Sequence, residues 1–252
     1  MTQPADARLA GRAVLVTGAA SGIGAAVCRR LVDEGASVAA VDRSSDGLDE
    51  LWSSTSAVKP FACDVTDEAE VESAVGDAVG ELGALHGVAH CAGVFPVEDQ
   101  VPVHAAELTA FCRTVEVNLT GTFLVLKHAL PVLVRTGSSL VTISSVAALR
   151  QGGGVGYAAS KGGVISLTRA VAAQYGREGV RANTICPGGV DTPMTADLFA
   201  DEGVRRHVER STPLGRVASA DELAAVVTFL LSDDSSYMSG ETLVVDGGGS
   251  VV

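Results

Sequence analysis

The chain has 252 residues, a net charge of −12 and 47% hydrophobic residues. That balance supplies apolar side chains for a large core and argues against the basic surface that nucleic-acid binding needs. No run approaches the ~18 apolar residues of a membrane span, and the polar start of the chain reads as a short tail over residues 1–10 rather than a signal peptide.

In chain order, the apolar run 13–16 predicts a first strand, and 25–32 has helical spacing. Between them lies Thr17-Gly18-Ala19-Ala20-Ser21-Gly22-Ile23-Gly24. Strand, glycine-rich turn and helix in that order suit a dinucleotide pyrophosphate, because glycine lets a backbone come close and a helix start offers N–H groups. The spacing departs from G-x-G-x-x-G, with Val27 where a third glycine would stand. A tight turn that binds nothing is the plainer alternative. Asp42 argues against it, since this carboxylate closes the second apolar run, 37–41, where it can accept from ribose hydroxyls.

Runs 58–63 and 87–91 predict the third and fourth strands, with a helix at 67–82 between them. A helical region covers 105–134, a fifth strand 139–143, a helix 157–176 and a strand 181–185. A helix at 221–231 and a strand at 242–245 close the pattern. Regular alternation with no break in composition predicts an α/β fold in one domain, residues 1–252. Its form is a single doubly wound parallel sheet, a Rossmann-type three-layer sandwich.

The chemistry concentrates in Tyr157-Ala158-Ala159-Ser160-Lys161, which sets a phenol and an ammonium on one helix face. A nearby cation favours the phenolate, so Lys161 is expected to lower the Tyr157 pKa toward the range useful for exchanging a proton with an alcohol or carbonyl oxygen. The five cysteines and five histidines fall into no metal-ligand spacing, so no metal site is read. Scattered thiols of odd number suit a reducing cytoplasm.

Together these motifs resemble the short-chain dehydrogenase/reductase family in its roughly 250-residue form, from about Arg12 to Gly249. The resemblance implies that Gly18, Ser21, Gly22, Ile23 and Gly24 cradle the cofactor and that Asp64 and Val65 contact its adenine. Cys91-Ala92-Gly93 stands where the family usually has Asn-Ala-Gly, near the adenine side. Pro187, Gly188, Val190 and Thr192 would hold the nicotinamide. Asn118, Ser145, Tyr157 and Lys161 form the implied catalytic set, with Asn118 supporting a water chain to Lys161 and Lys161 also holding the nicotinamide ribose. Ser145 and Tyr157 are one residue closer than in many members, across a loop rich in glycine, and Ser144 remains the alternative serine because it restores the usual separation. Segment 194–211 resembles the family's substrate lid, against the plainer reading of a surface helix pair.

The implied activity interconverts a secondary alcohol and a ketone on a mainly apolar small molecule. Asp42 and the absence of a basic residue at Ser21 favour NAD, while Arg43 leaves NADP as the competitor. The alternatives are an NADP-dependent 3-oxoacyl thioester reductase and a non-catalytic NAD-binding scaffold. The resemblance also implies a homotetramer, with a dimer as runner-up.

Overall fold

The computed structural model describes residues 7–96, 98, 100–150 and 152–251. The first half runs β1 (Ala13–Thr17), α1 (Gly22–Asp33), β2 (Ser37–Asp42), α2 (Ser45–Trp52), β3 (Val58–Ala62), α3 (Glu68–Leu82) and β4 (Gly87–His90). Then come α4 (Leu108–Val115), α5 (Gly121–Leu133), β5 (Ser139–Ile143), α6 (Val155–Tyr175) and β6 (Arg181–Pro187). The last part holds β7 (Val190–Asp191), α7 (Ala196–Ala200), α8 (Glu202–Ser211), β8 (Ala218–Ser219), α9 (Ala220–Leu231) and β9 (Thr242–Val245).

Seven parallel strands form one sheet in the order β3-β2-β1-β4-β5-β6-β9, with β7 and β8 as a separate small pair. This is the doubly wound α/β sheet that the alternation predicts. Strands buried on both faces send alternate side chains to opposite layers. Val14 and Val16 join the core beneath α1, α2 and α9, whereas Leu15 joins the core beneath α3, α5 and α6. Pro60, which cannot donate to a ladder, lies in β3 at the sheet's edge, paired only with β2. Among the described residues no helix is long and apolar enough to cross a membrane.

Three details differ from the sequence reading. The expected tail over 1–10 is shorter: Leu9 is fully buried and Arg8 pairs with Glu34 at 2.6 Å, so residues 7–10 dock as a turn, while 1–6 lie outside the described residues. The helix α2 has no counterpart in that reading. And the helical region 105–134 starts as α4 only at Leu108 and contains a π-helical turn, Glu116–Thr120, before α5. Single π turns recur at functional sites because the added residue re-aims one side chain; here that residue set includes Asn118.

The far end of the sheet is held by a cation without a carboxylate. Arg181 donates to the carbonyls of Leu230, Ser232, Ser235 and Met238 at 2.9–3.3 Å, so its charge meets the C-terminal end of α9. Arg181→Met would remove the charge from the end of α9 and leave these carbonyls only their neutral donors, among them the side chains of Ser139, Ser235 and Asn183. It should cost about 3 kcal/mol, read as a lower urea midpoint at unchanged m.

Candidate active site

The cofactor-type loop is shaped by backbone meeting backbone. At Gly18, where φ is +69°, a Cβ would come 2.9 Å from the amide nitrogen of Ala92. At Gly24 it would overlap the carbonyl oxygen of Gly18. These positions therefore exclude any side chain, which explains a spacing other than G-x-G-x-x-G without a third glycine at Val27. Thr17 couples the loop to β4: its hydroxyl accepts from the amides of Cys91 and Ala92, both at 3.2 Å, and lies 2.9 Å from His90 Nδ1. With both amides donating to it, the hydroxyl gives its proton to Nδ1, which sets His90 as the Nε2–H tautomer. Trp52 Nε1 donates to the Ala19 carbonyl at 3.1 Å and ties α2 to the same loop.

Asp42 is fixed where β2 ends. Oδ2 accepts from the Ala20 amide and Oδ1 from the Ser44 amide, each at 3.0 Å. Asp64 Oδ1 takes the amide and hydroxyl of Thr66, and these bonds hold its carboxyl below the usual range. Gly22 lies against Thr192, at a Cβ-equivalent distance of 3.4 Å, which brings the loop and the 187–192 segment to one mouth.

The catalytic candidates converge from β5, α6 and the π turn. The Tyr157 hydroxyl is hydrogen-bonded to the Ser145 side chain, and Ser145 Oγ accepts from the Ala147 amide at 3.1 Å. Lys161 Nζ donates to the Ile143 carbonyl at 2.9 Å and lies 5.8 Å from the centre of the Tyr157 ring. Phe95 meets that ring edge-on, with centroids 4.7 Å apart. Gly153, at φ +68°, leaves room for the ring: a Cβ there would sit 3.0 Å from Tyr157 Cδ1. The shortened loop thus fits by laying backbone against the tyrosine.

Asn118 stands behind this group, fully buried. It exchanges two hydrogen bonds with the Val94 backbone (2.8 and 3.0 Å) and donates to Ser160 Oγ at 3.2 Å. Ser160 in turn donates to the Tyr157 carbonyl at 2.8 Å, so the π turn braces the first turn of α6. Gly93 separates Asn118 Oδ1 from Lys161 Nζ, lying 3.1 and 3.2 Å from them at its Cβ position.

Every candidate residue except Asn118 lines one cavity of about 300 Å³ over the strand ends: Gly18, Ser21, Gly22, Ile23, Gly24, Asp42, Asp64, Val65, Cys91, Ala92, Gly93, Ser145, Tyr157, Lys161, Pro187, Gly188, Val190 and Thr192. Such cavities form where strand order reverses, here between β1 and β4. Of the two serines, Ser145 is the one bonded to Tyr157, while Ser144 Oγ donates to the Lys161 carbonyl at 2.8 Å. His90, Trp52 and Ser160, and the coupling role of Thr17 within its loop, are contributions the sequence reading missed. Each acts through a contact between segments distant in sequence, so no local pattern marks it. Among the described residues no group of three or more histidines, cysteines or acidic residues is placed to hold a metal.

One electrostatic expectation is corrected. The Tyr157 pKa is raised from its ordinary value: burial outweighs the hydrogen bond from Ser145, and Lys161 is not among the causes of the shift. The physical reason is that Lys161 is itself desolvated, its pKa pulled down to about 8, and it is directed at a backbone carbonyl.

Burial also pulls His90 from its ordinary 6.5 to about 3. The folded chain then keeps it neutral while the unfolded chain protonates below 6.5. The stability associated with neutral His90 is complete above pH 6.5 and is lost as pH falls toward 3, at up to ~1.4 kcal/mol per pH unit. His90→Asn should therefore flatten the stability curve between about pH 6 and 4 in urea melts; curves parallel to the parent's would remove His90 as a source of acid sensitivity.

A doubly wound sheet, a side-chain-free phosphate-type cradle and a phenol beside a serine and a buried ammonium define a nucleotide-dependent oxidoreductase. The comparisons with known proteins agree. A family model described as "Enoyl-(Acyl carrier protein) reductase" matches residues 18–250. Cis-4-hydroxycyclohexanecarboxylate dehydrogenase of Sinomonas cyclohexanicum is 38% identical, over 96% of this chain and 97% of the relative. Levodione reductase of Leifsonia aquatica is 38% identical over 99% and 98%. A crystal structure of levodione reductase superposes with a TM-score of 0.90 at 36% identity, covering 97% of this chain and 99% of that one. The chain belongs to the short-chain dehydrogenase/reductase family, whose enzymes act on CH–OH groups with a nicotinamide dinucleotide.

Proposed function

We propose that the chain is an NAD-dependent dehydrogenase that interconverts a secondary alcohol and a ketone on a mainly apolar, ring-bearing small molecule. The observation that carries this reading is the Ser145–Tyr157 hydrogen bond in the cavity that also holds Lys161 and the glycine cradle. The cradle fits the cofactor, because the positions that exclude a Cβ at Gly18 and Gly24 lie beside Asp42, whose carboxylate can accept from ribose hydroxyls. Bound there, the nicotinamide supplies the hydride chemistry.

The protein's own groups handle the oxygen and its proton. Tyr157 takes the proton from the alcohol in oxidation and returns it to the ketone in reduction. Ser145, with its oxygen held by the Ala147 amide, directs its hydroxyl proton to the substrate oxygen and stabilises charge developing there. Lys161, a cation below about pH 8 on the wall of the same cavity, is placed to hold the nicotinamide ribose. Asn118 keeps the Val94 loop and α6 in register with them. Val94 and Met194 line the substrate end, with Phe95 against the tyrosine, and segment 194–211 serves as the lid. A ring is favoured by these apolar walls and by one relative's name, which specifies a hydroxylated cyclohexane. Free thiols at all five cysteines suit a cytoplasmic enzyme.

Tyr157→Phe keeps the ring against Phe95 but removes the ionisable oxygen. Turnover of cyclic secondary alcohols should fall ~10²–10⁴-fold while NAD affinity stays within a few-fold; near-normal turnover would remove Tyr157 from the mechanism.

For cofactor choice, the charge of Asp42 opposes a 2′-phosphate. NAD should be preferred by at least ~10-fold in kcat/KM, and Asp42→Ala should erode that preference by letting Arg43 pair with the phosphate. Equal use of NADH and NADPH by the parent would count against Asp42 as selector.

The assembly we propose is a homotetramer, with a dimer next. β9 is an edge strand with Val244 43% exposed, and an uncovered edge favours a subunit contact. Light scattering at micromolar concentration should give a multiple of 25.5 kDa; a mass near 25.5 kDa itself would contradict both.

A further inference from the structure

We infer that Gly153 and Phe95 are positioning residues for proton transfer: they form the corner against which the Tyr157 ring rests and so set where its hydroxyl points. This deepens the proposed function and rests on it for Tyr157 as the acid–base group. Three segments meet in that corner, with Phe95 beyond β4, Ala147 beyond β5 and Gly153 just before α6. A Cβ on Gly153 would lie 3.0 Å from Tyr157 Cδ1, 3.4 Å from Ala147 Cβ and 3.4 Å from Phe95 Cε2. The Phe95 and Tyr157 rings meet edge-on, with an interplanar angle of 72°.

Carbon atoms at their optimal separation are ~3.5–4.0 Å apart, so a methyl group at Gly153 would press on the tyrosine ring. Phe95 and Ala147 already touch the same point. Gly154, next along the chain, caps α6, and its carbonyl accepts from the Ala158 amide at 2.9 Å. The ring is then the group that yields. It turns about its own Cβ, and the hydroxyl lies farther from that pivot than Cδ1 does, so a small displacement at the ring edge grows at the oxygen. A misplacement of about 1 Å in a reacting group costs ~10²-fold in rate.

The same corner holds the partner of that hydroxyl. The Ala147 amide donates to Ser145 Oγ at 3.1 Å, and the Ser145 side chain is hydrogen-bonded to Tyr157. Ala147 thus fixes the serine while Gly153 and Phe95 fix the ring. Together they keep the two hydroxyls in contact across the shortened loop, which closes through the left-handed backbone of Gly153 at φ +68°. Tyr157 and Ser145 line the cavity, and Phe95, Ala147 and Gly153 stand behind them. Changes at Gly153 and Phe95 therefore reach the substrate through the tyrosine, and their effect falls on kcat rather than on KM.

The test uses the full chain with cyclohexanol and NAD as probes. Gly153→Ala should lower kcat about tenfold or more, while KM for both probes and NADH affinity by calorimetry stay within about threefold. Phe95→Leu should lower kcat in the same direction with KM kept, and it decides the matter if Gly153→Ala does not bind NADH. A second readout needs no turnover. Ultraviolet absorbance after a rapid pH jump, taken as the difference between each protein and its Tyr157→Phe counterpart, isolates the Tyr157 phenol. The bond to Ser145 lowers the Tyr157 pKa, and an added methyl does not reduce burial, so Gly153→Ala should move the phenol midpoint to higher pH. A change that only weakened folding would lower the Tm and leave that midpoint in place. An unchanged kcat, an unmoved midpoint, or a loss of kcat/KM carried by KM would overturn the inference. If the parent oxidises no cyclohexanol, the proposed activity fails on that probe and the midpoint still decides the positioning. If the parent turns over and both variants match it, the positioning inference alone falls.

Discussion

The site depends on a place where two stretches of backbone meet with no side chain between them. Gly24 packs on the Gly18 carbonyl, and Gly18 packs on the Cys91–Ala92 peptide, at the point where the sheet changes direction between β1 and β4. A methyl group at either glycine would push the first helix away from the strand end or separate the two strand ends. The Thr17 hydroxyl then fixes the remaining freedom by accepting from both amides of the β4 extension. Because β4 leads directly into Gly93 and Val94, the same contact sets where Asn118 and Lys161 are met. The glycine turn and the Tyr157–Lys161 group thus adjoin one rigid junction.

Burial of polar groups around that junction has a cost, and the structure shows how it is offset. Lys161 is desolvated but donates a hydrogen bond to the Ile143 carbonyl, and it remains a cation below about pH 8. His90 escapes the cost by staying neutral, with the Thr17 hydroxyl satisfying one ring nitrogen. The other nitrogen is buried without a partner among the described residues. The Cys91 thiol, pushed up to about 12 by burial, adds no charge at neutral pH. The cavity wall is balanced in charge, with Arg43 and Lys161 against Asp42 and Asp64, and the Lys161 ammonium is kept in spite of its desolvation.

Specificity comes from less constrained segments. The loop after β5 and the segment leading into α7 add Ser144, Ser145, Met194 and Thr195 to the cavity wall, and α7 and α8 behind them are tied down by local packing. Phe199, buried, receives Arg205 over its ring at 5.8 Å, and Val208 presses on Gly189. These contacts place α8. Loops mounted on a rigid scaffold in this way can change substrate while the hydride and proton chemistry stays the same.

Alternation of apolar runs with helical stretches was enough to specify the doubly wound parallel sheet, because strands buried on both faces leave a compositional trace that no tertiary detail alters. The glycine loop, Asp42 and the Tyr157–Lys161 spacing were legible for the same reason: each is a local pattern whose geometry follows from one strand, turn or helix. Only the tertiary structure separates Ser144 from Ser145: both meet α6, but Ser144 bonds the Lys161 carbonyl whereas Ser145 bonds the Tyr157 side chain. It alone reversed the expected shift of the Tyr157 phenol, because desolvation depends on what surrounds a group in space rather than on what is four residues away. The Thr17–His90 contact, the Asn118–Ser160 contact and the approach of Gly22 to Thr192 were likewise invisible in the sequence. Each joins segments whose separation along the chain carries no information about their distance once the sheet has formed.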